Sequence, residues 1–219
     1  MQKNNFVKFL SFLFLFLGIS TLIFVFFPIL KYQLDPSINL RSFVSPTVDD
    51  VKDLTKASNW FEVKSEGFTQ KGKIISYTAS IPSLSIKNAT VSIGGEDLSQ
   101  NLIQYPGTAL PGKIGNTVIF GHSVLPQFFN PKNYLSIFST LPDIQKGAKL
   151  NIEYDGVLYT YKVEDKFEVM PTDIDILDQN ENSSYISLVT CVPPGDPRRP
   201  KRLIVRAKIQ ENLSAVILH

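Results

Sequence analysis

Cysteine occurs only once in the sequence, as Cys191, so no disulfide bond can form within the chain. Histidine occurs twice, as His122 and as the final residue, His219. A terminal histidine is usually solvated, and we assign no role to His219. The net charge is only +2, from 22 basic and 20 acidic side chains. Lys3 and Lys8 account for this excess, so the rest of the chain is neutral, which argues against a nucleic-acid partner.

The sequence contains one apolar run that is long enough to cross a membrane, residues 9–30. This run contains no charge and would form a helix of roughly 33 Å, against a hydrocarbon core of about 30 Å. A cleaved signal peptide is the alternative, but its apolar region is usually shorter and ends in small residues, which the exit "FFPILKYQLDP" lacks. We therefore expect an uncleaved, single-pass anchor in the cell membrane. The positive-inside rule, applied to Lys3 and Lys8, places residues 1–8 in the cytoplasm and everything after Lys31 outside it.

The remaining sequence divides into a polar, proline-containing stalk at 31–60 and a β-rich domain at 61–219. In the stalk, Thr47 is followed three residues later by Asp50, which predicts one short helix. The domain consists of short β-branched or aromatic runs between turn residues, a pattern that predicts an all-β barrel or sandwich. The predicted strands lie at 73–86, 116–123, 149–169, 184–191 and 202–209.

Two local features refine this prediction. Asp155 and Gly156 lie between two strand-like runs, which predicts a β-hairpin. Residues 130–144 are expected to add a turn or two of helix before Pro142.

Cys191 ends one apolar run and precedes the loop "VPPGDPRRP", a position where functional residues are common. Cysteine is also among the most buried residue types, so an inert thiol at a strand end is the competing interpretation. In an exported domain, an unpaired thiol is an intermolecular bridge, a buried residue or a reactive group. His122 follows another apolar run, "NTVIFG", and a half-buried histidine bonded to the backbone is its plain interpretation.

Two arginines follow the loop. Arg202 and Arg206 share one face of the predicted strand, so the alternation alone does not distinguish them. If this strand returns antiparallel to the preceding one, an arginine comes close to Cys191, where its guanidinium would stabilise a thiolate or an oxyanion. Arg198 and Arg199, in the loop itself, are expected to be exposed.

Cys191, His122 and one arginine together supply a nucleophile, a proton carrier and a charge stabiliser, the parts of covalent acyl transfer. Three motifs carry them in order: "YPGTALPGKIGNTVIFGHS", "SLVTC" and "KRLIVRAKI". With "IPSLSI" at 81–86, these motifs resemble the sortase family over about residues 76–210. Sortases are membrane-anchored transpeptidases of mainly Gram-positive surfaces, and "SLVTC" is similar to their TLxTC signature. A papain-like enzyme has its cysteine before its histidine, and the order here is the reverse.

The resemblance implies an eight-stranded sortase β-barrel with short helices, preceded by the transmembrane helix. It implies that Cys191 is the nucleophile and His122 the general acid that protonates the leaving amine. Arg202 opens its run as the family's arginine does, so it takes the oxyanion-stabilising or substrate-orienting role, and Arg206 is assigned none. Thr190 matches the signature threonine beside the cysteine and is expected to bind substrate.

The activity implied is cleavage of an LPxTG-like sorting signal at its Thr–Gly bond, through a thioester, followed by transfer to an amine. A cell-wall precursor or a pilin lysine is the expected amine, and no cofactor or metal is expected. The segment 167–185 is expected to carry the loop that reads the sorting signal. Its apolar candidates for a Leu-Pro pocket are Met170, Pro171, Ile174 and Ile176.

Two positions depart from the family pattern. Ser187 replaces the threonine that usually opens the signature, which is expected to affect packing and not the chemistry. Phe120 occupies a position where a small residue is common, which is expected to narrow the pocket.

Three alternatives remain open. The chain is a peptidase on the same scaffold if water resolves the thioester, and an adhesive barrel if Cys191 is unreactive. A pilin-polymerising sortase is the third, but Asp35-Pro36 lies too close to the membrane exit for the lid such enzymes often carry.

Overall fold

The computed structural model describes residues 2–34, 39–40, 55–61, 76–196 and 200–210. Within it the chain divides into two compact units, Met1–Asp35 and Pro36–His219. Several predictions fall outside the described residues: the helix at Thr47 and Asp50, the Asp35-Pro36 pair, Arg198, Arg199 and His219.

The first unit is helix α1, Gln2–Gln33. Within it, Lys8–Tyr32 is a 25-residue stretch that is long and apolar enough to cross a membrane. Its large apolar side chains, among them Phe12 and Phe16, are exposed, as is typical of a helix that lipid covers. An apolar N-terminal helix is therefore present as predicted, and it extends beyond the predicted 9–30 at both ends.

The second unit is a closed β-barrel. Strands β2 to β9 follow the order β7-β6-β2-β3-β4-β5-β8-β9, and β9 pairs back with β7 to complete a ring of eight. The short strand β1 lies outside this ring, parallel to the end of β7. The prediction of an eight-stranded barrel is confirmed. The strands are β1 Asn39–Leu40, β2 Ser76–Ile81, β3 Ile86–Ile93, β4 Leu102–Gln104, β5 Gly115–Phe120, β6 Lys149–Tyr154, β7 Val157–Val169, β8 Ser184–Val192 and β9 Lys201–Ile209.

The hairpin at Asp155 and Gly156 joins β6 to β7, as predicted. Both turn residues have positive φ, 53° and 73°, which is what a type I′ turn requires. The predicted strand at 73–86 is wrong in its second half, because a 3-10 turn at Pro82–Leu84 interrupts it before β3 begins.

The helix expected at 130–144 is a second correction. That segment contains turns and a short 3-10 helix, Leu141–Asp143, which includes Pro142 instead of ending before it. Proline is tolerated at the start of a helix because the backbone N–H that it lacks would be unpaired there. The other 3-10 helices in the described part of the domain are Ala57–Asn59, Pro82–Leu84, Pro126–Phe128 and Ile174–Leu177.

Strand β8 is buried on both faces. Leu188 and Thr190 lie on one face, and Val189 and Cys191 lie on the other, and all four are nearly inaccessible to solvent. The residues on the Cys191 face of β8 pack in a single apolar cluster with residues of other strands, of loops and of the segment 55–61. Its members are Ala57, Trp60, Phe61, Leu98, Ile103, Val118, Phe120, Phe167, Val169, Ile176, Val189, Cys191 and Ile204.

The residue that follows β5, Gly121, has no room for a side chain. A Cβ placed there would lie 2.3 Å from Cδ2 of Phe138 and 2.7 Å from Cδ2 of Leu102. We expect Gly121→Ala to lower the free energy of unfolding by about 1–3 kcal/mol through overpacking. Urea denaturation of the full chain in detergent measures this change. Gly95→Ala is the matched control, since its nearest non-neighbour atom, Cβ of Ser92, is at 3.5 Å, and equal destabilisation of both variants would contradict the packing.

Candidate active site

Strand β8 carries Cys191 between two neighbouring strands, and its pairing with β9 decides which arginine the thiol meets. In the antiparallel register, Cys191 pairs with Arg202, and Ser187 pairs with Arg206. Directly opposed residues of an antiparallel pair have their side chains on the same face, with Cβ atoms about 4.5–5.5 Å apart. Arg202 is therefore the arginine beside Cys191.

Strand β5, on the other side of β8, brings His122 to the same level. The two strands run parallel, with Phe120 paired to Val189, and the amide of Gly121 donates to the carbonyl of Val189 at 3.1 Å. Continuing this register by two residues sets His122 level with Cys191 on the adjacent strand, about 4.8 Å away between backbones. Three neighbouring strands thus bring the three predicted catalytic residues together.

Two hydroxyl groups fasten β5 to β8 at this level. Oγ1 of Thr190 donates to the carbonyl of Gly121 at 2.9 Å, and Oγ of Ser123 donates to the carbonyl of Cys191 at 2.8 Å. Thr190 is fully buried on the face opposite to Cys191. Its hydroxyl thus holds the segment that leads to His122, and the expectation that Thr190 binds substrate stays a prediction.

His122 is buried, and its Nδ1 accepts a hydrogen bond of 3.1 Å from the amide of Ser123. Its own carbonyl accepts from the amide of Phe138 at 3.0 Å, which fixes the backbone after β5. Since Nδ1 is an acceptor, the neutral imidazole carries its proton on Nε2. Nε2 is therefore the atom from which His122 can donate a proton.

Arg202 is only 2% exposed, and its guanidinium has partners in place of water. Its Nε donates to the carbonyl of Trp60 at 3.1 Å, and its Nη1 donates to the carbonyl of Lys201 at 3.3 Å. The guanidinium carbon lies 5.5 Å from the centre of the Trp60 ring, within cation–π range. A buried charge needs such partners, and two of those present here are peptide carbonyls.

Arg206, four residues along β9, has a different environment. It forms an ion pair with Glu181, and its guanidinium lies 4.3 Å from the centre of the Tyr185 ring. These contacts occupy it at the far end of the same face, away from Cys191.

The N-terminal segment 55–61 packs against the barrel, although the sequence analysis assigns all of it but Phe61 to the stalk. The amide of Leu98 donates to the carbonyl of Thr55 at 2.9 Å, and the amide of Ala57 donates to the carbonyl of Glu96 at 3.0 Å. This short antiparallel contact brings the following aromatic residues to the catalytic face. The sequence held one signal for it, namely the only tryptophan of the chain, immediately ahead of a phenylalanine.

An aromatic cluster centred on Phe120 covers the catalytic face. The ring of Trp60 stacks on Phe120 at 5.2 Å between centroids, and Phe61 and Tyr105 contact the same ring at 5.8 Å and 5.7 Å. Burial raises the pKa of Tyr105, so its hydroxyl stays neutral at ordinary pH. Trp60 and Phe120 are fully buried and share the apolar cluster with Cys191. Phe120 thus fills space on this face, and its expected narrowing of the pocket stays a prediction.

The four apolar candidates for a peptide pocket lie in the loop between β7 and β8 and differ in exposure. Ile176 is buried in the cluster that contains Cys191. Met170 is buried, Pro171 is half-buried, and Ile174 is 45% exposed. Of these four residues, Ile176 is the one that belongs to the same apolar cluster as Cys191.

A thiol, an imidazole and a guanidinium on three adjacent strands can carry out covalent acyl transfer. Among the described residues, no group of three or more His, Cys, Asp and Glu side chains is arranged to hold a metal ion.

Comparison with known proteins gives a consistent family. The family model described as "Sortase domain" matches residues 79–210. Sortase A of Streptococcus agalactiae serotype III (strain NEM316) is 27% identical over 124 residues, which span 57% of this chain and 45% of that relative. Two solved structures have the same fold. The Clostridium perfringens Sortase D5 transpeptidase matches with a TM-score of 0.53 and 25% identity, over 65% of this chain and 82% of that chain. Sortase A from Corynebacterium diphtheriae matches with a TM-score of 0.54 and 28% identity, over 64% and 62% respectively.

Trp60→Ala tests whether the N-terminal segment covers the thiol. The change removes the ring that lies on Phe120 and on the Arg202 guanidinium, so the segment opens more often. We expect iodoacetamide to alkylate Cys191 at least about fivefold faster, measured by mass spectrometry on the full chain in detergent. Phe128→Ala is the control, since that ring is 62% exposed. A rate equal to wild type in Trp60→Ala would mean that the segment does not limit access.

Proposed function

This chain belongs to the sortase family, and we propose that it is a cysteine transpeptidase with Cys191 as nucleophile, His122 as general acid and base, and Arg202 as the group that stabilises the oxyanion. One observation carries the proposal, namely the pairing of Cys191 with Arg202 on β9 while β5 delivers His122 on the other side. No other cysteine exists to serve as the nucleophile.

The first half of the reaction acylates the enzyme. The proton of the Cys191 thiol passes to His122, which becomes an imidazolium. The Cys191 thiolate attacks the scissile carbonyl of a bound peptide, the C–S bond forms, and the carbonyl oxygen becomes an anion. N–H groups of Arg202 donate to this oxygen, in the way that its Nε donates to the Trp60 carbonyl in this structure. Collapse of the intermediate breaks the C–N bond, and the leaving amine takes a proton from Nε2 of the imidazolium, which returns to neutral imidazole. The product is a thioester at Cys191.

The second half transfers the acyl group. An amine attacks the thioester carbonyl, Nε2 of His122 takes the proton that the amine loses, and the Cys191 thiolate departs. If water attacks instead, the same steps give hydrolysis, so the attacking group decides between transpeptidase and peptidase.

The proposed substrates are proteins with an LPxTG-like sorting signal, cleaved between threonine and glycine. The proposed acceptor is an amine of a cell-wall precursor or a pilin lysine, and the outcome is anchoring of surface proteins. Family membership supports this substrate class, as does the burial of Ile176 in the same apolar cluster as Cys191. Helix α1 is the proposed membrane anchor, and Lys3 and Lys8 favour a cytoplasmic N-terminus with the catalytic domain outside.

The full chain in detergent, incubated with a panel of LPxTG-like peptides and triglycine, tests this function. We expect mass spectrometry to detect a thioester adduct on Cys191 and a peptide product ligated to triglycine. Cys191→Ala is the control, in which both species are absent. A wild-type enzyme without an adduct on any peptide of the panel overturns the proposal, and hydrolysed product alone in the presence of triglycine identifies a peptidase.

The two arginines of β9 provide a matched pair of variants. We expect Arg202→Ala to lower kcat about 10²-fold or more on the best-cleaved peptide, because the developing oxyanion loses its buried donor. Arg206→Ala keeps most of the turnover, since its partners are Glu181 and Tyr185. The reverse ranking of the two kcat values would show that the wrong arginine has been assigned.

A further inference from the structure

The side chain of Gln179 joins the loop between β7 and β8 to the start of β5. Its Oε1 accepts from the amides of Ala109 and Asn116, each at 3.0 Å. Its Nε2 donates to the carbonyls of Asn116 at 3.0 Å and of Leu177 at 2.8 Å. A glutamine amide offers two donors and two acceptor sites, and all four are used here on backbone groups of three different segments.

A second side-chain amide, that of Asn116 on β5, also bonds to the loop between β7 and β8. Asn116 is 1% exposed, and its Nδ2 donates to the carbonyl of Ile176 at 2.7 Å. Its Oδ1 accepts from Oγ of Ser187 at 2.9 Å. Both ends of this buried amide are therefore paired, one with the loop and one with β8.

The backbone at the start of β5 lies close to the side chain of Gln179. Gly115 has a φ of +127°, and a Cβ placed on it would lie 2.9 Å from Oε1 of Gln179. The amide of Gly115 also donates to the carbonyl of Ser183 at 3.0 Å, at the end of the loop. The loop is thus held by hydrogen bonds at 176, 177, 179 and 183.

The anchors lie on the same face as the thiol. Ser187 and Cys191 are four residues apart on β8 and share one face, which places them about 13 Å apart. An extended peptide with its scissile carbonyl at Cys191 covers this distance with about four residues. The turn that carries Ile176, linked to Ser187 through Asn116, therefore lies within reach of an extended peptide of about four residues bound at Cys191.

We propose that Asn116 and Gln179 are positioning residues for substrate selection, which hold the 174–177 turn and the Ile176 side chain in place as a preformed wall of the peptide groove. The inference rests on the proposed function, because it concerns how that reaction selects its peptide. Neither side chain touches the reacting atoms. Both act through the loop, on binding of the apolar residues that precede the cleaved bond.

Gln179→Ala is the primary test, since Gln179 is half-buried and its truncation removes four hydrogen bonds to the backbone. Loss of these hydrogen bonds lowers the stability of the 174–177 turn in its observed position. We therefore expect KM for the best-cleaved peptide of the panel to rise about tenfold, with kcat within about threefold of wild type. Discrimination against a peptide with alanine at the third and fourth positions before the scissile bond should fall by a similar factor. Alkylation of Cys191 by iodoacetamide should keep its wild-type rate.

A matched glutamine controls for the substitution itself. Gln145 is exposed, and its Nε2 donates to the carbonyl of Asp143 at 2.9 Å, outside the loop. Gln145→Ala should leave KM, kcat and the discrimination ratio unchanged.

Two further variants separate positioning from folding. Asn116→Asp keeps the volume and the acceptor for Ser187, but sets a carboxylate oxygen against the Ile176 carbonyl, so KM should rise as in Gln179→Ala. Ser187→Ala leaves the Asn116 oxygen without its donor and should raise KM in the same direction, and Ser187→Thr, which restores a hydroxyl, should reverse that rise.

The outcomes are distinguishable. If wild type turns over peptide and Gln179→Ala keeps the wild-type KM and discrimination ratio, the positioning role is wrong and the transpeptidase function stands. If kcat and alkylation fall together with a rise in KM, the residue supports the whole fold and the specific role is also wrong. If wild type acylates on no peptide, the proposed function itself fails and this inference with it.

Discussion

The pairing of β8 with a strand on each side is the constraint on which the catalytic face depends. On one side the antiparallel register sets Arg202 opposite Cys191, and on the other the parallel register carries β5 up to His122. A shift of one residue in either ladder would turn a side chain to the opposite face of the sheet. Hydroxyl bonds from Thr190 and Ser123 to the neighbouring backbones help to prevent such a shift at the catalytic level.

The second determinant is the exclusion of water from Cys191 and Arg202 on neighbouring strands. Arg202 retains a buried charge because the Trp60 carbonyl and ring replace water around it, and Phe120 stacks on the same Trp60 ring. In a desolvated setting, donors directed at a carbonyl oxygen interact more strongly than they do in water. A peptide substrate that displaces the segment 55–61 would bring its own carbonyl to the same guanidinium. The guanidinium of Arg202 that binds the Trp60 carbonyl in this structure is therefore the same group that is proposed to bind the substrate carbonyl.

Much of this arrangement could be predicted from local sequence. The Asp155-Gly156 hairpin and the strands β8 and β9 followed from turn chemistry and alternation, and the motifs that contain His122, Cys191 and Arg202 pointed to the family. Alternation could not choose between Arg202 and Arg206, because both lie on one face and only the strand register separates them. The resemblance chose Arg202, and the register agrees.

The features that sequence reasoning missed depend on contacts between distant residues. Trp60 meets Arg202 across 142 positions, and Gln179 meets Asn116 across 63. No local pattern encodes such pairs. Strand β4 has only three residues, too few for a periodicity to be recognised.

The register between β8 and β9 is the central claim, and a disulfide tests it most directly. Opposed residues in an antiparallel pair have Cα atoms about 4.5–5.5 Å apart, which is within the range that a disulfide spans. Under mild oxidation of the full chain, Arg202→Cys should form a disulfide with Cys191, detected by mass spectrometry of the linked peptides, and Arg206→Cys, about 13 Å further along, should not. A disulfide in Arg206→Cys and none in Arg202→Cys would contradict the account.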